Sequence, residues 1–374
     1  MRISAGFDSG NIEVLAEDDP DNIRLNIRKD NQSDFYQWFH FRLSGAKGTA
    51  CVMHIENAKG AAFAGGWENY SAVASYDREH WFRVETHFDG TRLSIHHTPE
   101  FNAAWFAYFA PYSDDRHQNL LAEVQGSDRV NLVRLGATLD GRDLDLLHFA
   151  GDIGAKKKLW VIARQHPGES MAAWWMEGFL SRLTDETDPV VREIFRRADV
   201  YIVPNMNPDG SSRGHLRTNA AGANLNREWE TPTMERSPEV FLVREKMQET
   251  GMDFCLDVHG DEDLPYNFIA GAEGTKSWSE LRAVQLANFT ETLAKISPDF
   301  QTKIGYPPAP PGTANMSMCT HWTAEAFGCL SMTLEMPFKD TVDTPDPDQG
   351  WSPERCRQLG AAMVDAIWAR FDDW

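Results

Sequence analysis

The sequence predicts an α/β protein: a mixed, mostly parallel sheet flanked by helices, preceded by an antiparallel β-sandwich. Three observations carry this. Residues 1–125 consist of short aromatic and β-branched runs cut by Gly, Asn and Asp. From residue 126 onward, apolar runs alternate with helical stretches. A chain of 374 residues also exceeds one ordinary core, so two domains are expected, 1–125 and 126–374.

In the first part, "FYQWFHFRLSG" (35–45), "GTACVMHIENA" (48–58) and "HWFRVETHFDGTRLSIHHT" (80–98) read as strands. Asp89-Gly90 inside the third is a hairpin turn signal. "AWFAYFAPYSDDR" (104–116) closes the segment with another apolar strand and a Pro-Tyr turn. In the second part the expected strands are 158–164, 199–204, 253–258 and 327–335. The expected helices are 170–183, 188–197, 237–250, 277–296 and 352–371. The last begins with Ser352-Pro353-Glu354, an N-terminal helix signature. The Pro-rich piece "GYPPAPPGTAN" (305–315) is too short and stiff for a domain linker and suits a loop at the rim of a site.

A net charge of −20 disfavours nucleic acid or an anionic membrane as partner, because both would be repelled. No apolar run has the length to span a bilayer, and the N-terminus lacks the charged and apolar regions of a signal peptide. The five cysteines include no Cys-x-x-Cys pair, and Cys255 and Cys329 lie in apolar runs that suit buried thiols. Together these features point to the cytoplasm.

Four expected strands end in residues that an ordinary core would not accept. They deliver His166 and Glu169; Asn205, Asn207 and Asp209; Asp257 and His259; and Glu335. Ligands gather beyond the carboxyl ends of strands in open α/β sheets, so this clustering marks a site. His166 and Glu169 are three residues apart in "HPGES", which lets both face one point across a tight turn. With His259 they form a two-histidine, one-glutamate set of the kind that holds a single catalytic Zn²⁺. A lone His-x-x-Glu is common by chance, and a histidine at a strand end is often only a satisfied polar group. Asp257, two residues before His259, suits orientation of the imidazole. Glu335 sits among Leu334, Met336 and Phe338, where an unused carboxylate is costly to bury. Beside a metal-activated water it would act as general acid and base. "HLRTNAAGANLNREW" (215–229) adds Arg217, Asn226 and Arg227. Arginines in such a loop are often merely solvated, yet a hydrolase working at a chain end needs cations for the terminal carboxylate and for the oxyanion.

These residues together resemble the zinc metallocarboxypeptidases of the carboxypeptidase A type, and most closely the cytosolic carboxypeptidase subfamily. The resemblance implies a metallocarboxypeptidase catalytic domain with His166, Glu169 and His259 as zinc ligands and Glu335, in "TLEMPF", as acid/base. It implies that Arg217 polarises the scissile carbonyl and that Asn226 and Arg227 grip the substrate's C-terminal carboxylate. "NPDG" (207–210) matches the family's loop signature. "QWFHFRLSG" and "YFAPYSDD" resemble the β-sandwich that precedes the catalytic domain in this subfamily. The implied substrate is the C-terminus of a peptide or protein, with the oligomeric state open.

Two departures bear on specificity. Gly168 stands where digestive members carry arginine, as in the cytosolic type. Asn315 stands where glutamate-trimming members use a basic residue. The alternatives are a zinc amidohydrolase acting on a small acyl-amino acid and a non-catalytic binding module; the "NPDG" and "NLNREW" signatures favour the peptidase over the first, and the intact ligand set with Glu335 opposes the second.

Overall fold

The computed structural model describes all 374 residues. Ten strands build the N-terminal part: β1 (Arg2–Ser4), β2 (Glu13–Ala16), β3 (Ile23–Asn26), β4 (His40–Ser44), β5 (Cys51–Ile55), β6 (Val73–Ser75), β7 (Phe82–Arg83), β8 (Thr86–Phe88), β9 (Leu93–His97) and β10 (Ala103–Ala107). They form two five-stranded sheets, β1-β4-β10-β6-β7 and β2-β3-β5-β9-β8. Pairing is antiparallel except between β3 and β5, which run parallel. Alternation buries one face of β3, with Ile23 and Leu25 inward, whereas β2 is exposed throughout and β6 wholly buried. Phe41 on β4 opposes Phe106 on β10 with their rings stacked 5.4 Å apart. The hairpin expected at Asp89-Gly90 joins β8 to β9, and Asp89 Oδ1 accepts from the backbone N–H of Thr91 and Arg92.

Ser113 then caps α1 (Asp114–Val124), where the sequence suggested only a turn; its hydroxyl accepts from Arg116 N at 3.2 Å. The remaining elements are β11 (Val130–Ala137), β12 (Asp143–Phe149), β13 (Lys157–Ala163), α2 (Met171–Leu183), α3 (Pro189–Arg197), β14 (Ala198–Val203), α4 (Pro208–Arg213), α5 (Pro238–Thr250), β15 (Phe254–Asp261), β16 (Phe268–Ala270), α6 (Glu280–Ile296), α7 (Cys319–Phe327), β17 (Leu330–Pro337) and α8 (Pro353–Ala369). Seven strands make one mixed sheet, ordered β11-β12-β14-β13-β15-β17-β16. Its four central strands are parallel, and they are the four expected from sequence. The antiparallel flanks β11, β12 and β16 were not expected. β11 is a half-exposed edge without an apolar run, and β16 has three residues. The segment from 319 to 327 is helical, so β17 starts later than expected. Gly328, at φ 61°, ends that helix in the left-handed region and releases the chain into the strand.

Period-two alternation divides the central strands between two cores. Leu159, Val161, Phe254, Leu256, Val258, Leu330, Met332 and Leu334 join the larger core with α2 and α8. Trp160, Ile162 and Cys255 face the opposite side, with α5 and α7. By the same alternation Asp257, His259 and Glu335 project toward that second side, at the carboxyl ends of their strands. The larger core also runs into the N-terminal sandwich: Tyr108 stacks on Phe338 at 4.4 Å, and Trp174 Nε1 donates to Ala110 O at 2.9 Å. No helix is long and apolar enough to cross a membrane, and all five cysteines are free and buried.

Glu239 in the first turn of α5 is fully buried, with Asn219 Nδ2 donating to it at 3.1 Å, and burial pushes its carboxyl from 4.5 up to about 7. The folded value lies above the unfolded one, so the native state binds the extra proton between these pH values. Stability is therefore lost as pH rises through about 7. Glu239→Gln is expected to gain roughly 3 kcal/mol on the parent between pH 4 and pH 8. Parallel thermal melts across that range check this; a pH-independent gap would refute it.

Candidate active site

β13 ends at Ala163, and the chain turns sharply to place His166 and Glu169 before α2. Arg164 makes the turn with φ 61° while only 1% exposed. Its guanidinium closes the loop by donating to Pro167 O at 3.1 Å and Tyr112 O at 3.0 Å. Gly168 is required by close approach: a Cβ there would lie 2.9 Å from Leu216 O.

His166, Glu169 and His259 converge, each offering one ligand atom, with these atoms all within 4.8 Å of one another. His166 Nδ1 lies 2.6 Å from Glu169 Oε1, His259 Nδ1 lies 2.8 Å from Glu169 Oε2, and the two Nδ1 atoms are 3.2 Å apart. Gly260 N also donates to Glu169 Oε2 at 3.0 Å. Burial works against the Glu169 charge, but the two imidazoles outweigh it and hold its carboxyl well below the usual range.

The outward ring nitrogens decide whether this cluster suits a metal. His259 Nε2 is 2.9 Å from Asp257 Oδ2, and His166 Nε2 is 2.9 Å from Asn224 Oδ1. Acceptors at both positions assign the ring protons to Nε2. Two Nδ1 lone pairs and a carboxylate then face one point with no donor among them. That is the demand a cation satisfies, and nitrogen with carboxylate oxygen is a donor set that suits Zn²⁺.

Asp257 orients His259 as the sequence suggested. Gln165 and Asn224 were missed. Gln165 is wholly buried; its Nε2 donates to Asp257 Oδ2 at 2.6 Å, and its Oε1 accepts from Trp229 Nε1 at 2.8 Å. Neither residue carries a signal of its own, because an amide side chain in the sequence says nothing about which ring nitrogen it meets. The "NPDG" residues brace the same turn: Asn207 Nδ2 donates to Gln165 O, and its Oδ1 caps α4 through Gly210 N.

Glu335 lies directly opposite His259 in the β15–β17 register. It is 7% exposed, and its Oε2 has no hydrogen-bond partner. Burial pushes its carboxyl well above the usual range; His259 opposes the shift, and Glu169, Asp261 and Glu262 add to it. The Tyr306 hydroxyl, from the Pro-rich rim loop, donates to Asp261 Oδ2 at 2.5 Å and sits 3.4 Å from Glu335 Oε1.

Arg217 Nη1 lies 4.0 Å from Glu169 Oε1, with its side chain 15% exposed. Asn226 Oδ1 accepts from Cys319 N at 2.9 Å, and its Nδ2 is 3.5 Å from His259 Nε2. Arg227 is exposed, and its guanidinium donates to Asn226 O at 2.6 Å. His166, Glu169, His259 and Glu335 thus lie at the ends of β13, β15 and β17, with Arg217, Asn226 and Arg227 in the 215–229 loop, whereas the Asp209 carboxylate turns to Thr138 Oγ1 and Asp140 N and takes no part in the cluster.

Residues 118–355 match the profile of the zinc carboxypeptidase family, and residues 3–109 match the cytosolic carboxypeptidase N-terminal domain. The chain belongs to the zinc carboxypeptidase family, and it is a metallocarboxypeptidase whose cofactor is zinc. It is 51% identical to an uncharacterized protein of Zymomonas mobilis, over 98% of this chain and 97% of that one. It is 24% identical to cytosolic carboxypeptidase 6 of Caenorhabditis elegans, over 89% of this chain and 78% of the relative. Among solved structures, a metallo-carboxypeptidase from Burkholderia cenocepacia superposes with a TM-score of 0.97 at 50% identity, over the full length of both chains. One from Pseudomonas aeruginosa, in complex with (2-guanidinoethylmercapto)succinic acid, superposes at 0.98 and 43% identity, again over both full lengths.

Proposed function

We propose that this enzyme removes the C-terminal residue of a peptide by water attack on the last amide, with Glu335 as general acid and base. The observation that carries this is the pairing of an acceptor-only cluster at His166, Glu169 and His259 with a buried carboxylate, one oxygen of it without a partner, one strand away. Zinc held by those three residues supplies Lewis acidity toward the carbonyl oxygen and toward the attacking water. Glu335 removes the water proton as the C–O bond forms, then delivers it to the departing amine as the C–N bond breaks. Arg217 keeps guanidinium donors uncommitted beside Glu169 and directs them at the developing oxyanion. Asn226 and Arg227 bind the terminal carboxylate and restrict cleavage to the last peptide bond.

The 215–229 loop, the Pro-rich rim and β17 frame the pocket for the departing residue. No Lys or Arg occurs between Ile304 and Glu335, so this stretch offers no cation to read an acidic side chain. A neutral or basic C-terminal residue fits this reading better than glutamate. The division into a sandwich of residues 1–125 and a catalytic domain of residues 126–374 belongs to the same proposal. It is supported by the gap between β10 and β11, which only α1 occupies. A cytoplasmic location is supported by the five free cysteines.

The test is a peptide library varied at the C-terminal residue, incubated with zinc-loaded enzyme alongside acyl-amino acids. Release of single C-terminal residues supports the reading; hydrolysis of acyl-amino acids alone would replace it. In the same assay Arg227→Ala is expected to raise KM by about 10–100-fold with a smaller change in kcat, as loss of a charge-assisted contact implies. Equal parent affinity for free and amidated C-termini would contradict the clamp.

A further inference from the structure

Arg217 has to hold its guanidinium at a fixed point, yet it stands in a loop, 214–224, without helix or strand. What fixes this loop comes from the N-terminal sandwich. Asp30, in the connection between β3 and β4, is only 3% exposed. Its Oδ1 accepts from Leu216 N at 2.7 Å, and its Oδ2 accepts from Arg217 N at 2.8 Å, Thr218 N at 2.9 Å and Thr218 Oγ1 at 3.1 Å. Three consecutive backbone N–H groups therefore converge on one carboxylate, a geometry that sets the φ/ψ angles around Arg217.

Neighbouring contacts make the seam tight. Asn31 Nδ2 donates to Ala220 O at 2.6 Å, Asn31 N to His215 Nε2 at 3.1 Å, and Asn11 Nδ2 to Gly214 O at 2.8 Å. A Cβ on Gly222 would lie 2.5 Å from Gln32 O, so backbone meets backbone here. The side chain is held as well: the Arg217 guanidinium carbon lies 5.0 Å from the Phe63 ring centre and 5.7 Å from that of Phe35. Both rings belong to the sandwich. They orient the cation without consuming its N–H donors, which leaves those donors for substrate.

We propose that Asp30 is a positioning residue for Arg217, with Phe63 and Phe35 as its aromatic guides, so that the N-terminal sandwich completes the catalytic machinery and does more than cover it. The inference rests on Arg217 being the oxyanion donor. A purely structural Asp30 would tie the two domains together and act on stability alone.

A double-mutant cycle on kcat separates the two, run with full-length zinc-loaded protein whose metal content is checked for each variant. Arg217→Ala is expected to lower kcat by about 10²–10³-fold. Asp30→Asn keeps the shape of the side chain but sets an amide against N–H donors; it is expected to lower kcat by roughly 10–100-fold with KM nearly unchanged. In the Arg217→Ala background, Asp30→Asn should change kcat by no more than about 2-fold, since the group it positions is gone. Its effect on the melting temperature should persist in both backgrounds.

An equal loss of kcat in both backgrounds, or no loss in the parent, would overturn the proposal. Arg217→Ala with unchanged kcat would overturn the underlying assignment of Arg217 instead, and is read from that variant alone. If Asp30→Asn does not fold, Phe63→Leu takes its place in the cycle. It removes only the aromatic face, and a drop of about 3–10-fold confined to the Arg217-bearing background is expected from a cation–π contact of ordinary strength; an equal drop in both backgrounds, or none, overturns the proposal.

Discussion

Glu335→Gln retains its zinc and loses turnover, by about 10²–10⁴-fold in kcat, the range expected when a general acid/base is removed. The substitution is isosteric, so β17 and its register with β15 are kept. What disappears is the capacity to take a proton and return it. Glu335 suits that task because one of its oxygens is buried without a partner and its environment favours the protonated form. Such a carboxylate is a stronger base toward the attacking water than an exposed one, and the departing amine, more basic still, then takes the proton from it. The check is kcat beside metal content. A rate within a few-fold of the parent, at full zinc occupancy, would remove Glu335 from the chemistry and leave the Tyr306–Asp261 pair as the nearest proton-bearing group.

His259→Ala is expected to abolish activity, release the metal and destabilise the fold. The first two follow from losing one of three ligands. The third follows from what surrounds the ring. His259 is 1% exposed between Asp257 and Glu169, themselves 0% and 2% exposed. Asp257 Oδ2 accepts from the ring Nε2 at 2.9 Å, while the ring Nδ1 lies 2.8 Å from Glu169 Oε2. Without the imidazole the buried Asp257 carboxylate loses the ring N–H it accepts from, and leaving a buried charged group short of a partner costs about 1–3 kcal/mol or more. Asp257→Asn supplies the graded comparison. It leaves all three ligands but weakens the hydrogen bond that orients His259, and zinc affinity is expected to fall by about 10–100-fold. Zinc content after dialysis and denaturant melts of both variants check this. A His259→Ala protein with parental stability and full zinc would refute the assignment.

The central strands and their helices were legible because each repeats a strong local signal: an apolar run, a period, a cap. The metal-binding trio was legible for a related reason. Polar groups at the ends of buried strands conflict with the local hydrophobic pattern, and such conflict marks function. The edge strands were not legible. β11 draws its place from its partner β12, and no periodicity of its own announces it. The helix at 319–327 was hidden inside a run that reads equally well as the entry to a strand, until Gly328 is seen to break it.

The sequence by itself determined the alternation of elements, the candidate ligands and the residue types that the chemistry needs, since these depend on spacing along the chain and on side-chain chemistry. Only the tertiary structure decided which ring nitrogens face the metal point, that Glu335 stands beside His259, and that Asp30 grips the Arg217 loop. These relations reach from 58 positions, as between His166 and Asn224, to 188, as between Asp30 and Thr218. They arise when strand register and domain packing close the molecule, and no local pattern encodes them.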